Sequence, residues 1–429
     1  MATCHLSAQE PVVLVAIDVA KHQHQALIET PNGKRRTLAF ANSRKGFAEL
    51  ADELKRQHLP VHAAFEATGD YHRALASFLY QCGFELHLVS SVATARTREA
   101  LYNSWDKNDP KDAQVILHLL KTGATQVFHD PFVRGYNDLQ ELASTYYQAG
   151  RRKVAIYNAL ITHYLPIYFP EAEPYMCTSR SSWLIRLLLI APCPSAVLAY
   201  SKGSFIKAAS AIQHRKFDRT RWLSDFYESA RTSIGVPILE RSTSIAMFRF
   251  VLSEYLHACE IRERLQAQAL ERLGDNPDFQ RLQTIPGIGP ILALTIMAES
   301  GDLRRFGHYR QYLKYCGLDL CTDQSGRSRG SSRLSKRGNG RLRYAFWMAG
   351  VVAVRRRENS FRAKFERYVS ADPRNADLKR KAYTAVTAKV ARVAYGLLKA
   401  GVDYRRFHEL AIPSGRTSLT RAFEAATTS

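Results

Sequence analysis

The sequence lacks a long uninterrupted apolar run. Its most apolar stretch, residues 183–200, is broken by Arg186, Pro192 and Pro194, whereas a membrane-spanning helix needs about 20 consecutive apolar residues. The first residues of the chain also lack the basic head and apolar centre of a secretory signal peptide. We therefore expect a soluble, cytoplasmic protein.

Cysteine is scarce and follows no pairing pattern. The chain has 7 cysteines in 429 residues and no CxxC sequence, which predicts a reducing compartment and argues against structural zinc. Cys316 and Cys321 lie close in sequence, but no second cysteine pair or histidine couple accompanies them. A tetrahedral metal site needs more ligands than these two thiols supply.

Acidic residues are few beside the basic ones. The chain has 39 Asp and Glu against 61 Lys and Arg, a formal net charge of +22 and a pI of 9.8. Such an excess favours a polyanionic partner, most simply DNA or RNA. An anionic membrane surface is the alternative and has less support. The length predicts several domains of about 150 residues each, and 46% hydrophobic residues indicate globular folding.

The first part of the chain has a mixed α/β pattern. Three strands are predicted at 12–19, 26–29 and 36–40, with a turn at Pro31-Asn32-Gly33. Helix and strand then alternate: a helix over 45–57, a strand over 61–65, a helix over 71–82 and a strand over 85–89. This order is typical of an RNase H-like α/β domain.

The middle of the chain is predicted to be helical. Apolar residues recur at near-helical spacing in two stripes: Leu139, Leu142, Tyr146, Ala149, Val154, Tyr157 and Ile161, and then Ile245, Phe248, Leu252, Tyr255 and Cys259. The stripes can pair as an antiparallel hairpin, mediate dimerisation or form ordinary core faces. Residues 175–237 between them show no clear period, and we interpret them as a subdomain or insertion.

Four carboxylates stand at the edges of predicted elements. Asp18 closes the first strand, Glu66 ends the strand over 61–65, and Asp109 and Asp112 open a helix. Strand ends of an open sheet point at a shared crevice, and clustered carboxylates can hold two Mg²⁺ ions at a scissile phosphate. Each residue also has a structural interpretation as a cap or turn residue, and Asp109-Pro110 is a good helix start.

The last part of the chain is basic and rich in glycine. Ile285-Pro286-Gly287-Ile288-Gly289-Pro290 is typical of a helix-hairpin-helix turn, in which Gly287 and Gly289 let a phosphate approach the backbone. A loop of serines and arginines follows at 324–339. A serine there can bind phosphate or act as a nucleophile. The predicted nucleic-acid contacts are Gly287, Gly289, Arg327, Lys336, Arg337, Arg341 and Arg343.

These segments together resemble the DEDD-type transposases of insertion sequences. The N-terminal resemblance rests on Ala16-Ile17-Asp18-Val19-Ala20-Lys21, Phe65-Glu66-Ala67-Thr68-Gly69 and Lys107-Asn108-Asp109-Pro110-Lys111-Asp112-Ala113. The C-terminal resemblance rests on the 285–290 turn, Ala298-Glu299-Ser300-Gly301-Asp302, Tyr315-Cys316-Gly317-Leu318, Gln324-Ser325-Gly326 and Ser335-Lys336-Arg337-Gly338-Asn339. The segments occur in the order that the family has.

The resemblance implies a function and a site. Family members are recombinases guided by a bridge RNA that pairs with donor and target DNA, and they form a covalent serine–DNA link. By motif, Asp18, Glu66, Asp109 and Asp112 become ligands of Mg²⁺, for which Mn²⁺ can substitute. Ser325 becomes the nucleophile, with Ser332 and Ser335 as second choices, and it is expected to meet the four carboxylates at one phosphate. The resemblance also implies dimers that pair into a tetramer and a prokaryotic, nucleoid-associated location.

The resulting prediction is a chain with α/β and all-α parts. It consists of a RuvC-like (RNase H-like) domain over 1–125, a helical coiled-coil dimerisation region over 126–275 with an insertion near 175–237, a mainly helical C-terminal transposase domain over 276–400, and a tail over 401–429. Two other functions stay open at this point. One is a metal-only RuvC-like nuclease or Holliday-junction resolvase, and the other is a non-catalytic helix-hairpin-helix scaffold that binds nucleic acid.

Overall fold

A computed structural model describes residues 11–67, 69–102, 109–130, 137–176, 181–212, 220–322, 324–325, 328–329, 332–356 and 359–405. The backbone alone is described at 109–110, 137, 181, 324–325 and 328–329. The chain divides into two compact units, Met1–Asn137 and Asp138–Ser429. The C-terminal tail after residue 405 lies outside the described residues.

Unit 1 is built on a six-stranded sheet with the order β3-β2-β1-β4-β5-β6. Its strands are β1 (Val13–Asp18), β2 (Gln23–Glu29), β3 (Arg35–Ala41), β4 (Val61–Glu66), β5 (Glu85–Val89) and β6 (Gln126–Val127). β2 runs antiparallel to β1 and β3, whereas β4 runs parallel to both β1 and β5. This arrangement is RNase H-like, and the predicted fold is confirmed.

Helices cover both faces of the sheet. They are α1 (Arg44–Lys55), α2 (Tyr71–Gln81), α3 (Ser91–Tyr102) and α4 (Asp109–Lys121). Odd-numbered residues of β1 and β4 pack with α1 and α2, as Ile17 and Phe65 do with Leu50 and Leu75. Even-numbered residues face α4 instead, because side chains alternate along a strand.

The edge strand β6 was not predicted from the sequence. It pairs antiparallel with β5 through His87 and Leu88, just beyond the predicted boundary at residue 125. With only two residues, it is too short to show an alternating pattern. Unit 1 extends to Asn137 in the structure.

Unit 2 is helical. Its first part contains α5 (Asn137–Ala159), a π-helical turn (Leu160–Tyr164), α6 (Leu165–Tyr168), a 3₁₀ helix (Pro170–Tyr175), α7 (Ser181–Ile190), α8 (Pro194–Leu198), α9 (Lys202–Ala211), α10 (Thr220–Arg231) and α11 (Thr243–Leu273). α7 to α10 pack their apolar residues against the first half of α11. The described part of the 175–237 segment is therefore a helical subdomain with its own core.

The two predicted stripes lie on α5 with its following π-helical turn and on α11, and α5 runs antiparallel to α11. Asp138 pairs with Arg272 at 2.8 Å, and the Arg262 guanidinium donates to Tyr146 Oη at 2.6 Å. Further along, the rings of Tyr157 and Tyr255 lie 6.2 Å apart. The antiparallel pairing is one of the predicted alternatives, although Val154 of the first stripe is 58% exposed.

The second part of unit 2 surrounds another core. It contains α12 (Pro277–Thr284), α13 (Pro290–Ser300), a 3₁₀ turn (Leu303–Arg305), α14 (Tyr309–Tyr315), α15 (Gly340–Arg355), α16 (Ser360–Val369) and α17 (Ala376–Ala400). Four short strands lie between α14 and α15: β7 (Leu320–Cys321), β8 (Gln324–Ser325), β9 (Ser328–Arg329) and β10 (Arg333–Leu334). The core takes its largest buried side chains from α12, α14, α15 and α16.

Candidate functional site

Asp18 and Glu66 lie at the same edge of the sheet in unit 1. The parallel register pairs Ile17 of β1 with Phe65 of β4, so that Asp18 and Glu66 occupy the next position on neighbouring strands. Both residues are partly buried. The expectation that two strands end in adjacent carboxylates is thereby met in the backbone geometry.

Both carboxylates belong to the face of the sheet that α4 covers. Side chains alternate along a strand, so Asp18 shares its face with Ala16, and Glu66 shares its face with Ala64. These two alanines pack in one cluster with Ala113 and its neighbours on α4. The first turn of α4 contains Asp109 and Asp112, and the side chain of Asp109 lies outside the described residues.

Asp112 is held as a buried ion pair. It is 4% exposed, and its Oδ1 atom accepts a hydrogen bond from Arg98 Nε at 2.8 Å and lies 2.6 Å from Arg98 Nη2. An unpaired carboxylate at such a position would be costly to ionise. Arg98 of α3 is therefore the charged partner of Asp112, a contact that the sequence did not predict.

The acidic edge offers oxygen donors only. Carboxylate oxygens are the ligands that Mg²⁺ and Mn²⁺ prefer, so the donor chemistry of Asp18, Glu66 and Asp112 fits these ions. Among the described side chains, however, the ligand atoms that already lie within 4.8 Å of one another belong to His62, Glu85 and His87. This second group lies at the other end of β4 and β5, and sequence reasoning missed it.

Ser325 lies at the end of a β-ribbon in unit 2. β7 pairs antiparallel with β10, and β8 pairs antiparallel with β9. Ser325 is the last residue of β8 and pairs with Ser328 in β9. The backbone of the predicted nucleophile is thus part of a short antiparallel strand pair. The side chains of 323–331, including Ser325, Arg327 and Ser331, lie outside the described residues.

The base of this ribbon is tightly anchored. Ser335 Oγ donates to Asp319 Oδ1 at 2.5 Å, and the Ser335 amide donates to the Asp319 carbonyl oxygen at 3.0 Å. At Gly338 (φ +151°), a Cβ would lie 2.5 Å from the Gly317 amide nitrogen. The segment over 335–339 therefore interlocks with the end of α14. Ser335, a second choice as nucleophile, is engaged in this anchor.

Glu299 joins the ribbon base to the core. It is 6% exposed and accepts hydrogen bonds from Asn339 Nδ2 at 2.7 Å and from Arg341 Nη1 at 3.2 Å. Asn339 also caps α15 by accepting from the Leu342 amide. A buried carboxylate thus fixes the start of the helix that follows the ribbon.

The helix-hairpin-helix turn connects α12 to α13, as predicted. A Cβ on Gly287 (φ +95°) would overlap the carbonyl oxygen of Ala349 and lie 2.9 Å from the amide nitrogen of Ala353. Gly287 therefore allows α15 to approach the turn. Gly289 has no atom within 4 Å of an added Cβ and caps α13 without a side chain, which is the geometry expected for a backbone contact with phosphate.

The predicted basic contacts separate into two groups. Lys336 and Arg337 are exposed. Arg341 binds Glu299 and lies 5.2 Å from the ring centroid of Tyr147, and Arg343 donates to the carbonyl oxygens of Cys316 and Lys336. Arg341 and Arg343 therefore make structural contacts within unit 2.

A further cationic cluster was missed by sequence reasoning. Lys364 and Arg367 on α16 lie near Lys389 and Arg392 on α17, and Lys389 Nζ donates to the Ser360 carbonyl oxygen at 2.7 Å. Burial lowers the pKa of Lys364 and Lys389, and neighbouring cations lower it further. Within the described part of the chain, none of the four has a carboxylate at salt-bridge distance. Such a cluster favours phosphate as its counter-charge.

In the described residues, no helix combines the length and apolar character needed to cross a membrane.

Two families match the chain at the two regions just described. Residues 15–170 match a DEDD transposase family of the IS110 type, and residues 279–366 match the Transposase IS116/IS110/IS902 family. The first match contains the acidic edge. The second contains the helix-hairpin-helix turn, the ribbon and α15. The presence of a DEDD domain indicates divalent metal use.

Curated relatives extend the similarity along the chain. An uncharacterised 44.8 kDa protein of insertion element IS116 from Streptomyces clavuligerus is 32% identical over 82% of this chain and 87% of its own length. An uncharacterised 43.6 kDa protein of insertion element IS110 from Streptomyces coelicolor is 22% identical over 94% of this chain and 97% of its own length. The transposase for insertion sequence element IS1111A from Coxiella burnetii is 32% identical over 30% of this chain and 35% of its own length.

The family matches cover the acidic edge and the serine ribbon in the predicted order, and the similarity to the IS116 protein covers most of both chains. The chain therefore belongs to the IS116/IS110/IS902 family of insertion-sequence transposases.

Proposed function

We propose that this transposase uses a bridge RNA to select donor and target DNA and joins them through a serine–DNA intermediate with the help of Mg²⁺. As a transposase, the chain is an enzyme that cleaves and rejoins DNA. The observation that carries the metal part of the proposal is the parallel pairing of β1 with β4, which aligns Asp18 and Glu66 on the face that bears Asp112.

Asp18, Glu66, Asp109 and Asp112 would hold the ions. Bound Mg²⁺, or Mn²⁺ in its place, supplies charge neutralisation at the phosphate that is being cut. Contacts within unit 1 position these carboxylates. Arg98 pairs with the buried carboxylate of Asp112, and the sheet fixes the backbone of Asp18 and Glu66 at adjacent strand ends.

Ser325 is the proposed nucleophile. Its Oγ forms a bond to phosphorus while the bond from phosphorus to the leaving deoxyribose oxygen breaks, and the serine proton is balanced by protonation of that leaving oxygen. Attack by a hydroxyl of the new strand reverses the exchange and releases the serine. Two observations support this role: β8 pairs with β9 through the backbone of Ser325, and Glu299 and Asp319 anchor the 335–339 segment that follows.

Guide RNA and DNA would bind the basic surfaces of unit 2. Lys336 and Arg337 are exposed, and the cluster on α16 and α17 has no acidic partner among the described residues. Phosphate contacts position a nucleic acid without reading its sequence, so base pairing to the RNA supplies the choice of site. Homodimers that assemble into a tetramer would bring two DNA duplexes together.

A trapping experiment tests the chemistry. The full chain is incubated with its co-transcribed RNA, Mg²⁺ and end-labelled DNA, and a protease-sensitive protein–DNA adduct is sought. Ser325→Ala is expected to abolish the adduct. Ser328→Ala, at the paired position of the same ribbon, is the matched control and is expected to retain it. An adduct formed by Ser325→Ala would overturn the assignment and direct attention to Ser332 and Ser335.

The other outcomes separate the remaining functions. Strand cleavage without any adduct would support a metal-only nuclease or junction resolvase. Asp18→Ala is expected to abolish cleavage while leaving DNA binding within about twofold, and cleavage by that variant would refute the metal site. Adduct formation that does not depend on the RNA would refute RNA guidance. Binding without cleavage under all conditions would support the scaffold interpretation.

A further inference from the structure

Three potential metal ligands lie on β4 and β5 at the end of the sheet opposite to the acidic edge. The parallel register pairs His62 with Glu85 and Ala64 with His87. His62 precedes Glu66 by four residues in the same strand, a separation of about 13 Å. The two histidines and Glu85 are therefore a separate group from the carboxylates assigned to Mg²⁺.

The spacing of the three side chains suits one metal ion. His62 Nε2 lies 3.3 Å from Glu85 Oε2, and His87 Nε2 lies 3.0 Å from Glu85 Oε1. One ligand atom of each residue lies within 4.8 Å of the other two. Tetrahedral ligands at zinc bond lengths are about 3.4 Å apart, so small side-chain adjustments would close the site.

The surroundings of His87 favour a ligand role for its Nε2 atom. His87 Nδ1 lies 3.2 Å from Thr125 Oγ1, and a hydrogen bond from Nδ1–H to that oxygen leaves the Nε2 lone pair for a metal. Nε2 is buried and lies 3.0 Å from Glu85 Oε1, a second potential ligand atom. Metal-binding histidines commonly use their second nitrogen in this way.

A protonated histidine–glutamate ion pair is the competing interpretation. Burial lowers the pKa of His87, an effect that Glu85 opposes and His62 reinforces. A metal ion binds the neutral imidazole and therefore competes with the proton for the same ring nitrogen.

We propose that His62, Glu85 and His87 form a binding site for a divalent transition-metal ion such as Zn²⁺. Two imidazoles and one carboxylate suit such an ion, whereas Mg²⁺ prefers oxygen ligands. Glu85 is 49% exposed, which leaves room for water as a fourth ligand. The ion would cross-link β4 to β5 and so stabilise the strand that ends in Glu66.

The experiment uses the full chain after removal of metals by a chelator. Titration with Co²⁺ is expected to give the visible absorption of a four-coordinate nitrogen-containing site at one equivalent, and Zn²⁺ should displace it. Excess Mg²⁺ should not displace Co²⁺. Zn²⁺ is also expected to raise Tm by several degrees. A spectrum without the four-coordinate band, or displacement of Co²⁺ by Mg²⁺, would overturn the proposal.

Variants distinguish this site from the acidic edge. His87→Ala is expected to abolish the Co²⁺ band, and Glu85→Gln and Thr125→Val should weaken binding at least about tenfold. His118→Ala removes an exposed histidine of α4 and is the matched control, with unchanged binding. Asp18→Asn should also keep the band. Loss of the band in Asp18→Asn together with its retention in His87→Ala would refute the proposal.

Each variant is compared with wild type in the metal-free state by circular dichroism and Tm, so a folding defect is recognised as such. Should His87→Ala fail to fold, Glu85→Gln and Thr125→Val test the same site, since both keep side chains of similar size. Binding by these two at wild-type affinity would then overturn the proposal.

Discussion

Substitution of Gly287 tests whether the helix-hairpin-helix turn is fixed by packing or by its ligand. Gly287 has φ +95°, and an added Cβ would overlap the Ala349 carbonyl oxygen of α15. A left-handed backbone costs a residue with a Cβ about 1–2 kcal/mol, and overpacking costs about 1–3 kcal/mol. Gly287→Ala should therefore destabilise unit 2 by about 2–5 kcal/mol.

The matched control is two residues away. An added Cβ at Gly289 meets no atom within 4 Å, and its φ of −101° is accessible to alanine. Gly289→Ala should therefore change the free energy of unfolding by less than about 1 kcal/mol. If Gly289 contacts phosphate, the same change should weaken DNA binding.

Differential scanning calorimetry and DNA-binding titrations measure the two effects. For a domain of this size, Gly287→Ala should lower Tm by roughly 5–15 °C, whereas Gly289→Ala should stay within about 3 °C of wild type. A Gly287→Ala protein with the same Tm as wild type would refute the packing argument. Equal losses of stability in both variants would refute the distinction between the two glycines.

Three further predictions concern buried or partly buried groups in unit 2. Glu299→Gln should lower stability by about 1–2 kcal/mol in urea unfolding, because Arg341 loses its charged partner. Arg304 lowers the pKa of Asp278 below its usual value, so this carboxylate stabilises the fold above about pH 4, and that stability is lost as the pH falls through the lowered pKa. The acid-induced fall in Tm should therefore be smaller in Asp278→Asn. Burial raises the pKa of Cys316, so its thiol should resist alkylation until the protein unfolds.

Exposed residues of unit 2 provide the controls. Glu263→Gln should leave the urea midpoint unchanged, and Asp403→Asn should follow the wild-type acid profile, since both side chains are exposed. Cys321 is exposed and should be alkylated in the native protein. A Glu299→Gln protein with the wild-type midpoint, an Asp278→Asn protein with the wild-type acid profile, or native alkylation of Cys316 would each contradict the corresponding argument.

Much of unit 1 was predictable because its signals are local. Apolar runs and turn residues defined β1, β4 and β5 to within a residue or two, and the order of strands and helices predicted the RNase H-like sheet. Asp18 and Glu66 stand directly after apolar runs, so their place at one edge followed from strand polarity. The two-residue β6 has too few residues to produce such a signal.

Unit 2 was less predictable because its helices pack through contacts far apart in sequence. The segment over 175–237 shows no clear period, yet α7 to α10 bury side chains all round one core. The antiparallel pairing of α5 with α11 joins Asp138 to Arg272, and periodicity alone did not choose it over dimerisation or an ordinary core face.

By itself, the sequence determined the acidic residues at strand ends, the excess of basic residues, the glycine turn and the family that these segments resemble. Only the tertiary structure decided that Arg98 pairs with Asp112 and that α15 packs closely against Gly287. It also decided that the register of β4 and β5 brings His62 close to Glu85 and His87. Apolar runs and turn residues can be recognised from residues that are neighbours in the sequence. Ion pairs, close backbone approaches and metal-ligand geometry depend instead on which distant segments come together in the fold.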